Sequence, residues 1–440
     1  MQQIHPSGRP QRSVAVIGSG VAGLTAAYLL AGQDRVTLYE ADHRLGGHAH
    51  THQVDNGDGD VVAVDSAFLV HNDRTYPTLC RLFAELGVPT QDSDMSMSVR
   101  ADDIGLEYAG ALGARGLFAC RQSLRPRYLL MLGEILRFHR AASALLRAAD
   151  GGADSDQETL ESFLNRHRFS SYFVDYFMTP LVAAVWSCAS ADALRYPARY
   201  LFVFLEHHGM LTVFGSPTWR TVTSGSVTYV RAIADRLDEV LVGTPVHSLR
   251  RVPDGVLVGA GNNPPRLFDA AVVAVHPDQA LLLLDEPTTR ERAVLGAISY
   301  STNRAQLHTD ESVLPRHRGA RASWNYLVTP EQDHVVVSYD VSRLMRIGGS
   351  RRFLVTLGGH DLVDPDSVLA EMTYSHPLYT PESVAAQQML PSLDDDRVVF
   401  AGAYHGWGFH EDGAASGLRA ARRLGADWPV ASRQKVVVPC

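Results

Sequence analysis

Residues 13–51 read SVAVIGSGVAGLTAAYLLAGQDRVTLYEADHRLGGHAHT and contain the local signals that decide the fold. The apolar, β-branched run at 14–17 suits a buried parallel strand. The Ala- and Leu-rich run at 21–31 suits a helix that packs closely against that strand. A second apolar strand at 35–39 ends at the acid Glu40. Strand, helix and strand in this order predict the first unit of a doubly wound α/β domain.

Three glycines between the first strand and the helix have the G-x-G-x-x-G spacing. Gly18 permits a tight turn, Gly20 allows a pyrophosphate to approach the backbone, and Gly23 lets the helix pack on the strand. The helix N-terminus offers free N–H groups and a positive dipole end to phosphates. Glu40 is placed to accept hydrogen bonds from ribose hydroxyls. The motif therefore predicts a dinucleotide site, for which NAD and FAD are both candidates.

A second glycine turn, Arg44-Leu45-Gly46-Gly47-His48, follows the acid and separates the two nucleotides. Nicotinamide binding does not require such a turn, whereas it resembles the glycine–glycine turn of the flavin-containing amine oxidase superfamily. The resemblance implies that this turn meets the pyrophosphate and ribityl chain of FAD. We therefore predict FAD as the cofactor, bound by a Rossmann-like α/β domain of the amine oxidase type beside an α+β substrate domain.

Later segments resemble the same family in the same order. They are a glycine turn and helix at 223–237, a pair of short strands at 240–242 and 246–249, a strand at 268–277, and a strand and helix at 398–402 and 413–421. The family places a valine backbone against adenine, at the position of Val246, and closes its C-terminal strand and helix over the flavin. The predicted cofactor-binding residues are Gly18, Ser19, Gly20, Val21, Ala22, Gly23, Glu40, Ala41, Arg44, Gly46, Gly47, His48, Val246, Gly402, Gly413 and Ala414.

The resemblance also implies a discontinuous cofactor domain. We expect the FAD-binding domain at 12–75, 215–285 and 395–430, the substrate domain at 76–214 and 286–394, a flexible leader at 1–11 and a tail at 431–440.

The chain further resembles a bacterial subgroup of NAD/FAD-binding oxidoreductases encoded beside cyclopropane-fatty-acid synthase-like methyltransferases. The segments that carry this resemblance are HHGML at 207–211, WRTV at 219–222 and FHEDG at 409–413. It implies hydride exchange between flavin and a C–C bond of a methyl-branched or cyclopropane-type fatty-acyl lipid, with a lipid methyltransferase as a partner. His405 and Glu411 are the predicted acid–base groups for the accompanying proton. Their alternative roles are FAD contact, packing or, for Glu411, a bond to the helix N-terminus.

Departures from the family pattern keep other functions open. The chain has His48 where an arginine is usual and Ala403 where an acid is usual. Many members use a lysine near the flavin, but the matching position here is Arg304, and Lys435 is the single lysine of the chain. Lysine-assisted amine oxidation is therefore disfavoured. The alternatives are an oxidase or desaturase of another apolar substrate, an amine or an isoprenoid, or a non-catalytic flavin-binding partner of a lipid methyltransferase.

Composition and charge further restrict the partners, metal sites and cellular location that we expect for this protein. A chain of 440 residues exceeds the size of one ordinary core. The net charge of −8 argues against a nucleic-acid partner. The four cysteines and the histidines are scattered, so we predict no metal site. No signal peptide and no apolar segment of about 20 residues is evident, which favours a cytoplasmic protein.

Three segments outside the cofactor motifs carry further predictions. Residues 116–148 hold six arginines and Glu134 among many leucines, and Pro126 is expected to begin a helix. Such a basic amphipathic helix fits an anionic membrane surface, which would make the protein peripheral on the inner face, or else a solvated helix that covers the domain. The alternation at residues 92–99 predicts one strand with Met95 and Met97 on the same face. These methionines would either pack in the core or contact an apolar ligand. The aromatic run at 169–204 is expected mainly to pack the helical part of the substrate domain.

Overall fold

The structure, a computed structural model, describes residues 11–148, 158–212, 215–329 and 335–429. The predicted tail at 431–440 and all but the last residue of the predicted leader lie outside the described residues. The contacts divide the chain into two compact units, which we call unit 1 and unit 2. Unit 1 comprises Met1–Gly47, Val230–Leu295 and Met389–Cys440, and unit 2 comprises His48–Tyr229 and Gly296–Gln388.

The described residues form the following strands and helices. The strands are β1 (Ser13–Ile17), β2 (Arg35–Tyr39), β3 (Thr51–Asp55), β4 (Val61–Asp65), β5 (His71–Asn72), β6 (Thr90–Asp92), β7 (Met97–Ala101), β8 (Leu106–Ala109), β9 (Trp219–Val222), β10 (Glu239–Leu241), β11 (Val246–Val252), β12 (Gly255–Ala260), β13 (Arg266–Phe268), β14 (Ala270–Val273), β15 (Tyr300–His308), β16 (Trp324–Val328), β17 (Val337–Asp340), β18 (Leu354–Leu357), β19 (Val368–Pro377) and β20 (Val398–Phe400). The helices are α1 (Val21–Leu30), α2 (Pro77–Leu86), α3 (Gly113–Leu117), α4 (Pro126–Arg147), α5 (Leu160–Arg166), α6 (Ser171–Phe173), α7 (Thr179–Trp186), α8 (Ser190–Arg195), α9 (Ala198–His207), α10 (Val227–Ala234), α11 (Pro277–Leu283), α12 (Thr289–Gly296), α13 (Val341–Leu344), α14 (Pro381–Met389) and α15 (His410–Arg423).

Unit 1 is built on a parallel five-stranded sheet in the order β10-β2-β1-β14-β20. Its centre is β1, of which Val14, Ala15 and Val16 are fully buried because strands flank it on both sides. The predicted order of strand, helix and strand is confirmed, and with it the α/β fold class. A separate antiparallel sheet contains β11, β12 and β13.

The two short strands predicted at 240–242 and 246–249 are present, and they join different sheets. β10 lies beside β2 in the parallel sheet, and β11 pairs with β12. The turn between them therefore carries the chain from one sheet to the other.

The two compact units differ in extent from the predicted cofactor and substrate domains. Residues 48–75 and 215–229 were assigned to the FAD-binding domain, and by contacts they belong to unit 2. In that unit, β9 lies between β5 and β6 in a three-stranded antiparallel sheet. The functional assignment of these segments stays a prediction.

Unit 2 contains a seven-stranded mixed sheet in the order β19-β15-β18-β17-β16-β7-β8. The predicted single strand over 92–99 is wrong, because β6 ends at Asp92 and β7 begins at Met97. Met95 lies between the two strands. Both methionines are partly buried and pack against the apolar core beside this sheet, which favours core packing over ligand contact.

The helical part of unit 2 is held by aromatic rings. α4 begins at Pro126, as predicted. Its Phe138 is buried, and its ring centroid lies 5.3 Å from that of Phe202 in α9 and 6.3 Å from that of Phe163 in α5. Cys120 and Cys188 are also buried, and the described cysteines, which include Cys80, form no disulfide among themselves. Cys440 lies outside the described residues.

A buried carboxylate joins the β3–β4 hairpin to the chain just before α10. Asp65 is 1% exposed, and it accepts hydrogen bonds from Thr51 Oγ1 at 2.5 Å, Ser226 Oγ at 2.8 Å and Ser226 N at 2.9 Å. Burial raises the pKa of Asp65 to about 6, although these hydrogen bonds act in the opposite direction. The folded state therefore binds a proton at this site more tightly than the unfolded chain does.

We expect Asp65 to make stability depend on pH. Its raised pKa contributes stability that is present below about pH 4 and is lost as the pH rises through about 6. Between these limits the wild type should lose roughly 3 kcal/mol of unfolding free energy relative to Asp65→Asn, which cannot ionise. Urea unfolding of both proteins across this range measures the difference. Asp58→Asn, at an exposed position of the same hairpin, is the control and should follow the wild type. Parallel curves for the wild type and Asp65→Asn would contradict the prediction.

Candidate cofactor-binding site

The first glycine turn is shaped by close backbone contacts. Gly18 has φ +99°, and a Cβ there would lie 2.5 Å from the carbonyl oxygen of Ala274. A Cβ on Gly23 would lie 1.9 Å from the carbonyl oxygen of Gly18. A Cβ on Gly20, the residue before α1, would meet nothing within 4 Å. The turn therefore needs its outer glycines for its own geometry, and its middle glycine leaves the N-terminus of α1 open to a ligand.

Ser19 connects the two glycine turns of unit 1. It is fully buried, and both its N–H and its hydroxyl donate to Glu40 Oε2, at 2.9 and 2.5 Å. Its hydroxyl oxygen accepts a hydrogen bond from Gly46 N at 3.0 Å. Glu40 Oε1 accepts another from Asp42 N at 2.9 Å. Since a carboxylate has about four acceptor positions, Glu40 keeps one, on Oε1, for a ribose hydroxyl.

The second glycine turn also needs backbone conformations that favour glycine. Gly46 and Gly47 have φ angles of +112° and +56°. A Cβ on Gly47 would lie 3.2 Å from Gly20 Cα, so the two turns are neighbours. Arg44 Nη1 donates to the carbonyl oxygen of Gly47 at 2.8 Å, which holds this guanidinium beside the turn. Ala41 is exposed at the end of β2.

The chain that leads into β11 lies beside the residue that ends β2. Thr244 N donates to the carbonyl oxygen of Glu40 and Gly243 N to that of Asp42, both at 2.8 Å. Val246 follows two residues later, half-buried, at a bulge of β11. The structure thus places the backbone of Val246 near Glu40, and its contact with adenine stays a prediction.

The N-terminal half of α15 packs on the first turn of α1. A Cβ on Gly413 would lie 2.5 Å from Val21 Cγ1, and a Cβ on Gly417 would lie 2.2 Å from the carbonyl oxygen of Ala22. Ala414 is fully buried. Small residues therefore allow two helices to approach closely at the glycine turn, and they bring the predicted N- and C-terminal cofactor residues together.

Gly402 begins the turn between β20 and α15. Its N–H donates to Ser416 Oγ at 2.9 Å. A Cβ on Gly402 would lie 2.2 Å from the ring of Tyr404, which is buried. A side chain at residue 402 would thus displace a buried ring, and this accounts for glycine there without a cofactor.

The environment of His405 is unlike that of a neutral-pH acid or base. Arg419 Nη2 donates to His405 Nδ1 at 2.8 Å, so the proton of the neutral ring is assigned to Nε2. Burial, with the nearby Arg419 charge, shifts the pKa of His405 well below its ordinary value. These contacts argue against proton exchange by His405 near neutral pH, and its catalytic role stays a prediction.

Two buried donors in this region lack partners among the described residues. They are His405 Nε2 and Arg419 Nε. Buried polar atoms are nearly always hydrogen-bonded, so these donors fit a bound polar molecule. They are a second feature of unit 1, besides the open N-terminus of α1, that is compatible with a bound ligand.

Asp412 is a titratable residue that the sequence analysis missed. It lies in the first turn of α15 beside Glu411 and accepts a hydrogen bond from Phe409 N at 2.9 Å. Burial raises the pKa of Asp412 to about 7, against the hydrogen bonds from the backbone of Phe409 and Trp407. Asp412 therefore orders the turn before α15. Glu411 itself is half-buried, and its catalytic role stays a prediction.

Unit 2 contains a polar network that motif spacing could not indicate. His52 Nε2 lies 2.9 Å from Ser66 Oγ, Ser66 Oγ lies 2.7 Å from Tyr374 Oη, and Tyr374 Oη lies 3.0 Å from His50 Nδ1. The predicted cofactor residue His48 packs its ring 5.1 Å from that of Tyr374. The histidines alternate in sequence at 48, 50 and 52, at and before the start of β3, but Tyr374 reaches them from β19, about 320 residues away. This hydrogen-bonded chain can pass a proton between two imidazoles.

The predicted counterpart of the family lysine lies on an exposed face. Arg304 in β15 has a side chain that is 59% exposed, with Nη2 3.9 Å from Glu371. The adjacent Asn303 is half-buried and lies 3.1 Å from His376 Nδ1. His376 in turn lies 5.3 Å from His48, ring to ring. The polar groups beside the network are therefore an amide and imidazoles rather than an amine.

Two further features of the described residues concern metal ions and membranes. Among them, no three His, Cys, Asp or Glu side chains are grouped so that they could hold a metal ion. In the same part of the chain, no helix has the length and apolar character to cross a bilayer.

Comparisons with known proteins agree with the geometry of unit 1. A family model described as flavin containing amine oxidoreductase matches residues 21–425. Lysine-specific histone demethylase 1 of Schizosaccharomyces pombe is 32% identical over 114 residues, which is 22% of this chain and 11% of that protein. L-amino-acid oxidase of Bungarus fasciatus is 54% identical over 43 residues, which is 10% of this chain and 8% of that protein. The chain thus matches only about a tenth of the length of these curated relatives.

Solved structures share the fold at low identity. Cyclohexylamine oxidase from Brevibacterium oxydans IH-35A has a TM-score of 0.68 and 17% identity, over 94% of this chain and 99% of that one. A CLA-producing fatty acid isomerase from P. acnes has a TM-score of 0.69 and 16% identity over the same shares. The family model covers most of the chain, and we conclude that this protein belongs to the flavin-containing amine oxidoreductase family.

Proposed function

We propose that the enzyme binds FAD and exchanges a hydride between the flavin and a C–C bond of a methyl-branched or cyclopropane-type fatty-acyl lipid. The observation that carries the cofactor assignment is the pair of glycine turns joined by Ser19, with the N-terminus of α1 left open at Gly20. That arrangement offers backbone donors to a diphosphate and one carboxylate oxygen to a ribose.

Different residues of the chain would contact different parts of FAD. Backbone N–H groups at the start of α1 would meet the pyrophosphate, and Arg44, held at Gly47, would add a positive charge beside it. Glu40 would take a ribose hydroxyl, and the Val246 backbone would lie along the adenine. FAD bound in this way would supply a two-electron acceptor or donor.

The substrate assignment rests on the side chain at the position of the family lysine, on one solved structure with the same fold and on the subgroup resemblance. The strand position matched to the family lysine carries Arg304, on an exposed face, and the sequence has its one lysine at residue 435. This disfavours lysine-assisted amine oxidation. A fatty acid isomerase with the same fold supports an acyl chain as a compatible substrate class. The subgroup resemblance supports the same class, together with a lipid methyltransferase as the partner that modifies the chain.

Desaturation of a C–C bond releases one hydride and one proton, and the reverse reaction consumes both. The hydride exchanges with the flavin, so a protein group must handle the proton. Because burial and the Arg419 charge lower the pKa of His405, we assign this role to Glu411, which is half-buried in the first turn of α15.

A second candidate function is oxidation of an amine or an isoprenoid. The observation in its favour is that solved structures with this fold include cyclohexylamine oxidase and putrescine oxidase. The third alternative, a non-catalytic flavin carrier, is disfavoured by membership of an enzyme family.

The reaction is tested by anaerobic absorption spectroscopy of the flavin-loaded protein. We expect loss of the oxidised-flavin bands on addition of a methyl-branched acyl phospholipid and no loss with simple amines. Reduction by amines alone would replace our proposal with the second candidate. If the oxidised form is inert to both, the reduced protein is mixed with the unsaturated lipid. Failure to reoxidise would then reject acyl-chain chemistry.

The open space at Gly20 gives a sharp test of cofactor binding. Gly20→Val should weaken FAD binding at least tenfold, because its side chain would enter the space assigned to the pyrophosphate. The fold should be kept, since a Cβ there meets nothing within 4 Å. FAD titration followed by fluorescence measures the affinity, and circular dichroism checks the fold. Gly110→Val, at another open glycine, is the control. Equal FAD affinity in both variants would reject the site.

The neutral state of His405 predicts an unchanged pH profile. His405→Asn keeps an acceptor for Arg419 and removes the imidazole. We expect the rate of flavin reduction to keep its dependence on pH in this variant, because a ring with a strongly lowered pKa does not titrate near neutrality. Stopped-flow measurement of the rate between about pH 5.5 and 8.5 provides the comparison. Loss of an ionisation near the ordinary histidine pKa of about 6.5 would restore the acid–base role.

A further inference from the structure

An exposed strip of apolar and basic side chains runs along α4 and the residues before it. Twelve large hydrophobic residues of the described chain are exposed, and five of them fall between positions 118 and 136. Their exposures are 44% for Phe118, 67% for Leu124, 47% for Leu129, 68% for Leu130 and 45% for Leu136. We call these five residues, together with the exposed arginines among and after them, the α4 strip.

The leucines of the α4 strip do not belong to the face with which α4 covers unit 2. That face consists of Tyr128, Met131, Phe138 and Ala142, which are buried. Leu129 and Leu136 are seven residues apart and therefore share one side of the helix, away from this buried face. An ordinary covering helix would present polar residues there. The apolar groups of the strip are therefore exposed and do not pack on the buried face of α4.

The charge of the α4 strip is positive throughout its exposed part. Arginines 121, 125, 127, 137, 140 and 147 are all exposed, whereas the chain as a whole has a net charge of −8. Among these, Arg125, Arg127 and Arg140 form no ion pair with a described residue. Glu134 is half-buried and accepts hydrogen bonds from Ser170 N at 2.9 Å and Ser170 Oγ at 2.5 Å. It therefore leaves most of the exposed positive charge uncompensated.

We propose that the α4 strip binds the surface of an anionic lipid bilayer. Arginines among exposed leucines match such a surface, because guanidinium groups bind lipid phosphates while leucines enter the boundary of the acyl region. The complementarity is local, since the rest of this acidic protein is repelled by the same surface. The contact orients unit 2 on the membrane, and it stands whether or not the substrate is an acyl lipid.

The test is sedimentation of the full-length protein with vesicles of phosphatidylglycerol and phosphatidylcholine, and with vesicles of phosphatidylcholine alone. We expect binding to the anionic vesicles and little to the neutral ones. Arg127→Gln combined with Arg140→Gln should weaken that binding roughly tenfold or more, since each arginine near an anionic surface contributes to it. Arg290→Gln combined with Arg292→Gln makes the same change of net charge elsewhere and should bind as the wild type does.

The apolar half of the α4 strip is tested separately. Leu129→Ser combined with Leu130→Ser should also weaken vesicle binding, whereas Leu282→Ser, at a position that is 81% exposed, should not. Because these side chains are exposed, folding is unaffected and circular dichroism should not change. Absence of vesicle binding by the wild type, or equal binding by all variants, overturns the proposal. Sedimentation velocity would show a dimer lost in the leucine variant if a second copy were the true partner. Flavin reduction is not part of the readout, so this result is independent of the proposed reaction.

Discussion

The candidate cofactor site depends on the two hydrogen bonds made by the buried hydroxyl of Ser19. It donates to Glu40 and accepts from Gly46, so one side chain fixes the first glycine turn, the acid that ends β2 and the second glycine turn. Loss of this hydroxyl would leave Gly46 N without its partner and Glu40 with one acceptor position to refill. The same arrangement limits Glu40 to one ribose contact, which a search for the motif alone would not show.

The sequence predicts unit 1 well where the determinants are local. The strand at 14–17, the helix from Val21 and the strand at 35–39 follow from hydrophobic runs and glycines a few residues apart, and the structure contains all three. It predicts poorly where distant pairing decides. β10 and β11 are close in sequence but belong to different sheets, because β2 and β12 supply their partners. The division of 92–99 between β6 and β7 has the same origin.

The candidate site shows the same division between local and distant causes. His405 has the residue type of a neutral-pH base, and its position after β20 agreed with that role. Arg419, which lies on α15, argues against that role because it donates to His405 Nδ1 and disfavours a second positive charge beside its own. Tyr374 likewise connects His50 to Ser66 from another sheet. Motif spacing identifies groups that can titrate, but the groups that set their protonation come from elsewhere in the chain.

The two units carry different kinds of information about the reaction. In unit 1 the predicted ligand contacts are mainly backbone groups and a helix N-terminus beside glycines, and structures that share 16–17% of the sequence have the same fold. An amine oxidase and a fatty acid isomerase match this fold with TM-scores of 0.68 and 0.69. Fold similarity is therefore equally compatible with either chemistry. The choice between them must come from side chains, and in unit 2 these are imidazoles, tyrosine and an amide, with the arginine of β15 on an exposed face. Unit 2 has no lysine in its sequence, because the single lysine of the chain is Lys435, and this disfavours amine oxidation by a lysine-held water.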